Sequence, residues 1–174
     1  MKLKENIIFL GMMGSGKTSI GSKISKKLEI NFFDIDQEIE KELNTKISEI
    51  FETKGEAFFR DLEEKITLKI LKKNNIVVSL GGGAFLNKNI QKEVLENHLS
   101  FWLKWNYRIL LERIRNSQKR PLAFKASDNE LIDLIKKRSN IYSKAHYEIK
   151  CDNQNKDQIV NKVLKICEIH QTKN

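Results

Sequence analysis

Residues 11–18 read Gly-Met-Met-Gly-Ser-Gly-Lys-Thr, directly after the apolar run Ile7-Ile8-Phe9-Leu10 and directly before a helical pattern that opens at Ser19-Ile20. A strand that feeds a glycine-rich loop and then a helix commits the chain to an α/β arrangement, with the loop at the carboxyl edge of the sheet. The loop is built for an anion. Gly11, Gly14 and Gly16 let the backbone turn its N–H groups inward, and the helix that follows adds the positive end of its dipole. Lys17 is placed to reach β- and γ-phosphates and the Thr18 hydroxyl to ligate Mg²⁺, so Gly11, Gly14, Ser15, Gly16, Lys17, Thr18 and Ser19 are the candidate triphosphate contacts.

The remaining chain repeats the same grammar. Strand-length apolar runs fall near 6–10, 31–34, 75–80, 99–103 and 146–150, and helical patterns near 16–28, 36–43, 57–73, 88–96, 106–115, 128–143 and 156–170. This alternation predicts an α/β fold with a parallel sheet. In the last helix Ile159, Val160, Val163, Leu164 and Cys167 form a buried stripe, which is core and not a binding surface. Residues 116–127 carry no sustained period and are polar and basic, so a mobile lid is expected at about 112–126.

Length and composition narrow the class further. The 174 residues, 40% of them hydrophobic, suit one domain spanning 1–174. No apolar stretch approaches the roughly 18 residues of a membrane span, and no signal-peptide pattern precedes the first strand; a cytoplasmic protein with no membrane partner is expected. Cys151 and Cys167 show neither metal-ligand spacing nor a disulfide framework. The net charge of +9 is spread along helices and loops and forms no basic block, which favours anionic small molecules over nucleic acid. A monomer is expected.

The chain lacks the D-x-x-G and N-K-x-D signals of a GTPase switch. The strand at 75–80 ends in Gly81, Gly82 and Gly83 where helicase-like and AAA-type ATPases place an acidic pair. Carboxylates stand instead in Phe33-Asp34-Ile35-Asp36, and residues two apart on a strand point to one face, which would set Asp34 and Asp36 side by side at the sheet edge. Mg²⁺ on one and a hydroxylated acceptor on the other would relieve their repulsion. Farther on, Arg60 lies one helical turn from Glu56 on one side and from Glu63 and Glu64 on the other, a spacing that can hold a guanidinium ready for an anion.

In its order of motifs the chain resembles the shikimate kinase family over nearly its whole length. The residues that carry the resemblance are 11–18, Phe33 to Asp36, Gly55-Glu56 with Phe59-Arg60, Gly81 to Gly83, Arg120-Pro121-Leu122, and Arg138 with Tyr142 one turn later. The resemblance implies the nucleoside-monophosphate kinase fold, a three-layer α/β arrangement with a central five-stranded parallel sheet flanked by helices, and transfer of the ATP γ-phosphoryl group to the 3-hydroxyl of shikimate. It implies Asp36 as the base, Asp34 on a water of the Mg²⁺ shell, Arg60 and Arg138 as a carboxylate clamp, Gly81, Gly82 and Gly83 as backbone donors, and Arg120 as the lid arginine that swings onto the phosphates. Lys17, Asp36 and Arg120 would then be the catalytic set. Thr18 stands where Ser is frequent, the usual lid glycines are absent, and the 152–156 loop lacks an arginine found near adenine in some members; Gln154 and Arg113 are the adenine-side candidates. Other readings are a gluconate or nucleotide kinase, and a non-catalytic nucleotide-dependent binding module.

Overall fold

The computed structural model describes residues 4–116 and 126–173. Five parallel strands, β1 (Ile7–Leu10), β2 (Asn31–Asp34), β3 (Ile76–Ser79), β4 (Leu99–Lys104) and β5 (Tyr147–Lys150), form one sheet in the order β2-β3-β1-β4-β5. Seven α-helices are found among the described residues: α1 (Lys17–Leu28), α2 (Ile35–Leu43), α3 (Ile47–Leu71), α4 (Lys88–Asn97), α5 (Tyr107–Arg115), α6 (Asp128–Tyr142) and α7 (Lys156–Lys173). The expected α/β class and five-stranded parallel sheet are both present.

The strands are apolar on both faces because helices cover both. Ile7 and Phe9 of β1 join Ile20 and Ile24 of α1 and Ile159, Val160 and Val163 of α7 in one core layer. Ile8 and Leu10 point the other way, into a layer with Ile39, Phe59, Ile66, Ile90, Leu110, Leu131 and Tyr142. Both cysteine thiols are free and buried on the α1 and α7 side, where burial pushes each up to about 12, so they are neutral core side chains.

Two expectations need correction. A helix was predicted over 57–73, but α3 begins at Ile47 and passes through Gly55, whose φ of 81° and ψ of 171° put a kink between two helical segments. The interruption falls where the sequence period breaks, so only the second segment is legible from the pattern. Asp34 and Asp36 do not lie on one strand: β2 ends at Asp34, which caps α2 by accepting from Gln37 N at 3.3 Å, and Asp36 is in the first turn of that helix. An aspartate makes a strong cap, and capping ends the strand before Asp36. The predicted lid falls mostly on residues 117–125, outside the described residues, and so does Arg120.

Strand order brings the candidate segments together. Asp34 pairs with Ser79 across β2 and β3, and Leu80 N donates to Phe9 O at 3.0 Å as β3 runs beside β1. The carboxyl ends of β2, β3 and β1, and hence the two aspartates, the three glycines and the 11–18 loop, share one edge.

Candidate active site

Gly11, Gly14 and Gly16 all hold positive φ, at 140°, 77° and 91°. Gly16 is the N-cap of α1, and at that φ a side chain would be strained. Ser15 N donates to Met12 O at 3.2 Å and Ser19 Oγ to Gly16 O at 3.1 Å, which closes the loop on itself. The buried Lys17 ammonium lies across the loop, donating to Gly11 O at 2.9 Å and Met12 O at 3.1 Å. Thr18 Oγ1 donates to Asp34 Oδ2 at 2.6 Å. A hydroxyl and a carboxylate in contact at the start of a helix form a hard oxygen donor set, which fits Mg²⁺ held with several of its own waters.

On the other flank of the loop, four charged side chains crowd around the three glycines. Arg60 Nη1 donates to Glu63 Oε2 at 2.6 Å, and its Nη2 and Nε donate to Glu56 Oε1 at 3.2 and 3.3 Å. Glu64 takes no part; its oxygens accept from Asn87 and Asn89, each at 2.6 Å. A Cβ built at Gly81 would fall 2.8 Å from Asp36 Oδ1 and closer still to Glu63 Oε1, so those two carboxylates meet over Gly81. At Gly83 a Cβ would lie 2.5 Å from Arg60 Nη1, and at Gly82 it would lie 3.5 Å from Arg138 Nη1 and from Met13 N. Gly81 and Gly83 are therefore packing requirements, because side chains there would displace the charged groups.

Burial pushes the Glu63 carboxyl above the usual carboxylate range; Arg60 opposes this and the Asp36 charge adds to it. Burial works against the charge on Arg60, but the Glu63 and Glu56 carboxylates outweigh it and the net shift is upward. Arg138 reaches the same place from α6, with Nη1 3.9 Å from Met12 Sδ and a buried Nε that has no hydrogen-bond partner among the described residues. Tyr142, one turn on, donates its hydroxyl to Gly82 O, and burial raises its phenol to about 12. Two arginines and two carboxylates, with polar atoms left unpaired, suit an acceptor that offers a carboxylate to the arginines and hydroxyls to the acids.

Of the adenine-side candidates, Arg113 abuts the loop: a Cβ built at Gly14 would be 3.6 Å from Arg113 Cβ. Gln154 folds back, its amide donating to Lys150 O at 2.9 Å. Sequence reasoning treated Glu63 only as a helix-spaced partner of Arg60. The signal for more was available, since Phe59, Glu63, Ile66, Thr67 and Ile70 share one buried stripe of α3 and a carboxylate on such a stripe needs a partner.

Comparison with known proteins bears on this geometry. A family model described as shikimate kinase matches residues 13–168. A shikimate kinase of Persephonella marina is 40% identical over 159 residues, covering 91% of this chain and 96% of the relative. Among solved structures, shikimate kinase from Acinetobacter baumannii in complex with shikimate superposes with a TM-score of 0.89 at 28% identity, covering 95% of this chain and 94% of that one. Shikimate kinase from Aquifex aeolicus superposes at 0.83 with 32% identity, covering 97% and 99%.

Proposed function

The chain belongs to the shikimate kinase family, and from that premise we propose that it transfers the γ-phosphoryl group of ATP to the 3-hydroxyl of shikimate, giving shikimate 3-phosphate and ADP. One observation carries the reading. The 11–18 loop separates a triphosphate cradle, with Lys17 and the Thr18–Asp34 contact, from the cluster of Asp36, Arg60, Glu63 and Arg138 around Gly81 to Gly83. Lys17 donates to Met12 O and Arg138 reaches Met12 Sδ, so the two groups meet at one loop, which suits a reaction that works by positioning and charge neutralisation.

Arg60 and Arg138 clamp the shikimate carboxylate, and backbone N–H groups of Gly81 to Gly83 line the same ligand. Asp36 binds its hydroxyls and takes the proton from the 3-hydroxyl as the new P–O bond forms. Lys17 stabilises charge that grows on the transferring phosphoryl oxygens, and Arg120 adds a second cation. Gly11, Gly14, Ser15, Gly16, Thr18 and Ser19 hold the triphosphate, with Arg113 and Gln154 toward adenine. Mg²⁺, held by Thr18 and through water by Asp34, would supply charge neutralisation at the β- and γ-phosphates. No helix among the described residues is long and apolar enough to cross a membrane. The enzyme acts as a cytoplasmic monomer of one domain, 1–174, with no nucleic-acid or membrane partner.

The test is ADP release by the purified chain, in a coupled assay with shikimate, gluconate and nucleoside monophosphates as acceptors. Shikimate is expected to give a kcat/KM at least a hundredfold above any other. A preference for gluconate or a nucleotide would refute the assignment.

A further inference from the structure

Trp105 stands where β4 leaves the sheet, one residue before Asn106, the N-cap of α5. Three parts of the nucleotide side meet at this half-buried indole. Its Nε1 donates to Ser15 O, in the middle of the phosphate loop, at 2.9 Å. The guanidinium carbon of Arg113 lies 3.6 Å from the indole centroid, stacked on its face. The adjoining backbone is tied to the chain just beyond β5, with Asn106 N donating to Asp152 Oδ1 at 2.8 Å and Cys151 N to Lys104 O at 2.9 Å. Arg113 is exposed, so the indole covers one face of its guanidinium and leaves the other open among the described residues.

We propose that Trp105 is a positioning residue for the nucleoside half of ATP: it fixes the plane of Arg113, so that the open guanidinium face presents a flat cationic platform to the base. The inference rests on the reading of residues 11–18 as the triphosphate site. An unrestrained arginine must give up most of its rotamer freedom when a base stacks on it, and a side chain already held on an indole has lost that freedom in advance. The attraction between a guanidinium and an indole face supplies the hold. The bond to Ser15 O sets the platform in register with the loop, so that base and phosphates are met at a constant separation. Trp105 makes no contact with the transferring group in this arrangement and acts through Arg113.

Titration calorimetry of the full chain with ADP and with inorganic tripolyphosphate, which has no base, tests this. Trp105→Leu is expected to weaken ADP about tenfold, the size of a lost cation–π contact and hydrogen bond together, and to change tripolyphosphate less than about threefold. Trp105→Phe, which keeps a ring but loses the N–H, falls between and guards against a leucine variant that does not fold. KM for ATP should rise while KM for shikimate stays within about twofold. Arg113→Ala should weaken ADP comparably, and Trp105→Leu with Arg113→Ala should lose less than the sum of the two single losses, because both remove the same stacking contact. Equal loss of ADP and tripolyphosphate, additive losses in the double variant, or folded variants that bind ADP like the parent would each overturn the proposal. A parent chain that binds neither ligand overturns the triphosphate reading itself and the proposal with it, which is a different failure from a parent that binds ADP and a Trp105→Leu chain that binds it equally well.

Discussion

Replacement of Gly83 by alanine isolates the part of the account that depends on crowding around Arg60. Gly83 has φ of −100° and ψ of −14°, so alanine meets no backbone objection there. The conflict is with Arg60: the new methyl would stand 2.5 Å from Nη1 and 2.8 Å from Cζ and Nη2, well inside contact distance. Because these atoms end a flexible side chain, the guanidinium moves and the backbone stays. Movement gives up the alignment with Glu63 at 2.6 Å and with Glu56 at 3.2 Å. It also misaligns the charged hydrogen bonds offered to the substrate carboxylate, worth about 1.5–3 kcal/mol. At 1.4 kcal/mol per tenfold, KM for shikimate should rise by about one to two orders of magnitude. The fold should survive, since a strain of about 1–3 kcal/mol is partly offset by a gain of about 0.4–1 kcal/mol from the less flexible unfolded chain. Steady-state kinetics with both substrates varied, alongside a thermal melt, gives the comparison. Gly82→Ala is the control, because a Cβ there meets Arg138 Nη1 at an ordinary 3.5 Å. If Gly83→Ala kept its shikimate KM within about twofold, or if the two alanine variants behaved alike, the crowding argument would fail.

Lys17→Ala should lower kcat by about two to three orders of magnitude with an unchanged circular dichroism spectrum, and a loss of only a few-fold would remove the lysine from phosphoryl transfer. Arg138→Ala should raise KM for shikimate far more than KM for ATP, and the reverse pattern in the same steady-state assay would move this arginine to the nucleotide side. His98 offers a test by pH. Burial holds the imidazole below its ordinary value, although Glu93, 3.4 Å away, pulls the other way. The unfolded chain therefore binds a proton there more readily than the folded one, so the contribution of His98 to stability is present above about pH 6.5 and is lost as the pH falls through the lower folded value. Denaturant melts between about pH 7.5 and 5.5 should show a shallower pH dependence in His98→Leu than in the parent; an equal slope in both would refute the burial argument.

The sheet was legible because β1, β3 and β4 carry mostly apolar runs, and most helices because they carry a buried stripe. The loop at 11–18 was legible because three of its positions require positive φ and the sequence supplies glycine at each. What escaped was tertiary. The approach of both Asp36 and Glu63 to Gly81 brings α2, α3 and the turn after β3 together, and no local spacing encodes it. The same holds for Trp105, whose indole reaches Ser15 across 90 positions of sequence. The strand geometry assumed for Asp34 and Asp36 failed because Asp34 had a stronger use as a helix cap. At Gly81 and Gly83, only the positions of Asp36, Glu63 and Arg60 reveal why larger residues do not fit.

The central claim is that one pocket holds the triphosphate and the hydroxy acid on either side of the 11–18 loop and passes the phosphoryl group directly between them. Phosphorus NMR of the purified chain with ATP, Mg²⁺ and shikimate follows that group itself. A phosphomonoester resonance that grows in step with ADP, and is absent when shikimate is omitted, is the predicted result. ADP appearing with inorganic phosphate alone, at the same rate with or without shikimate, would contradict it.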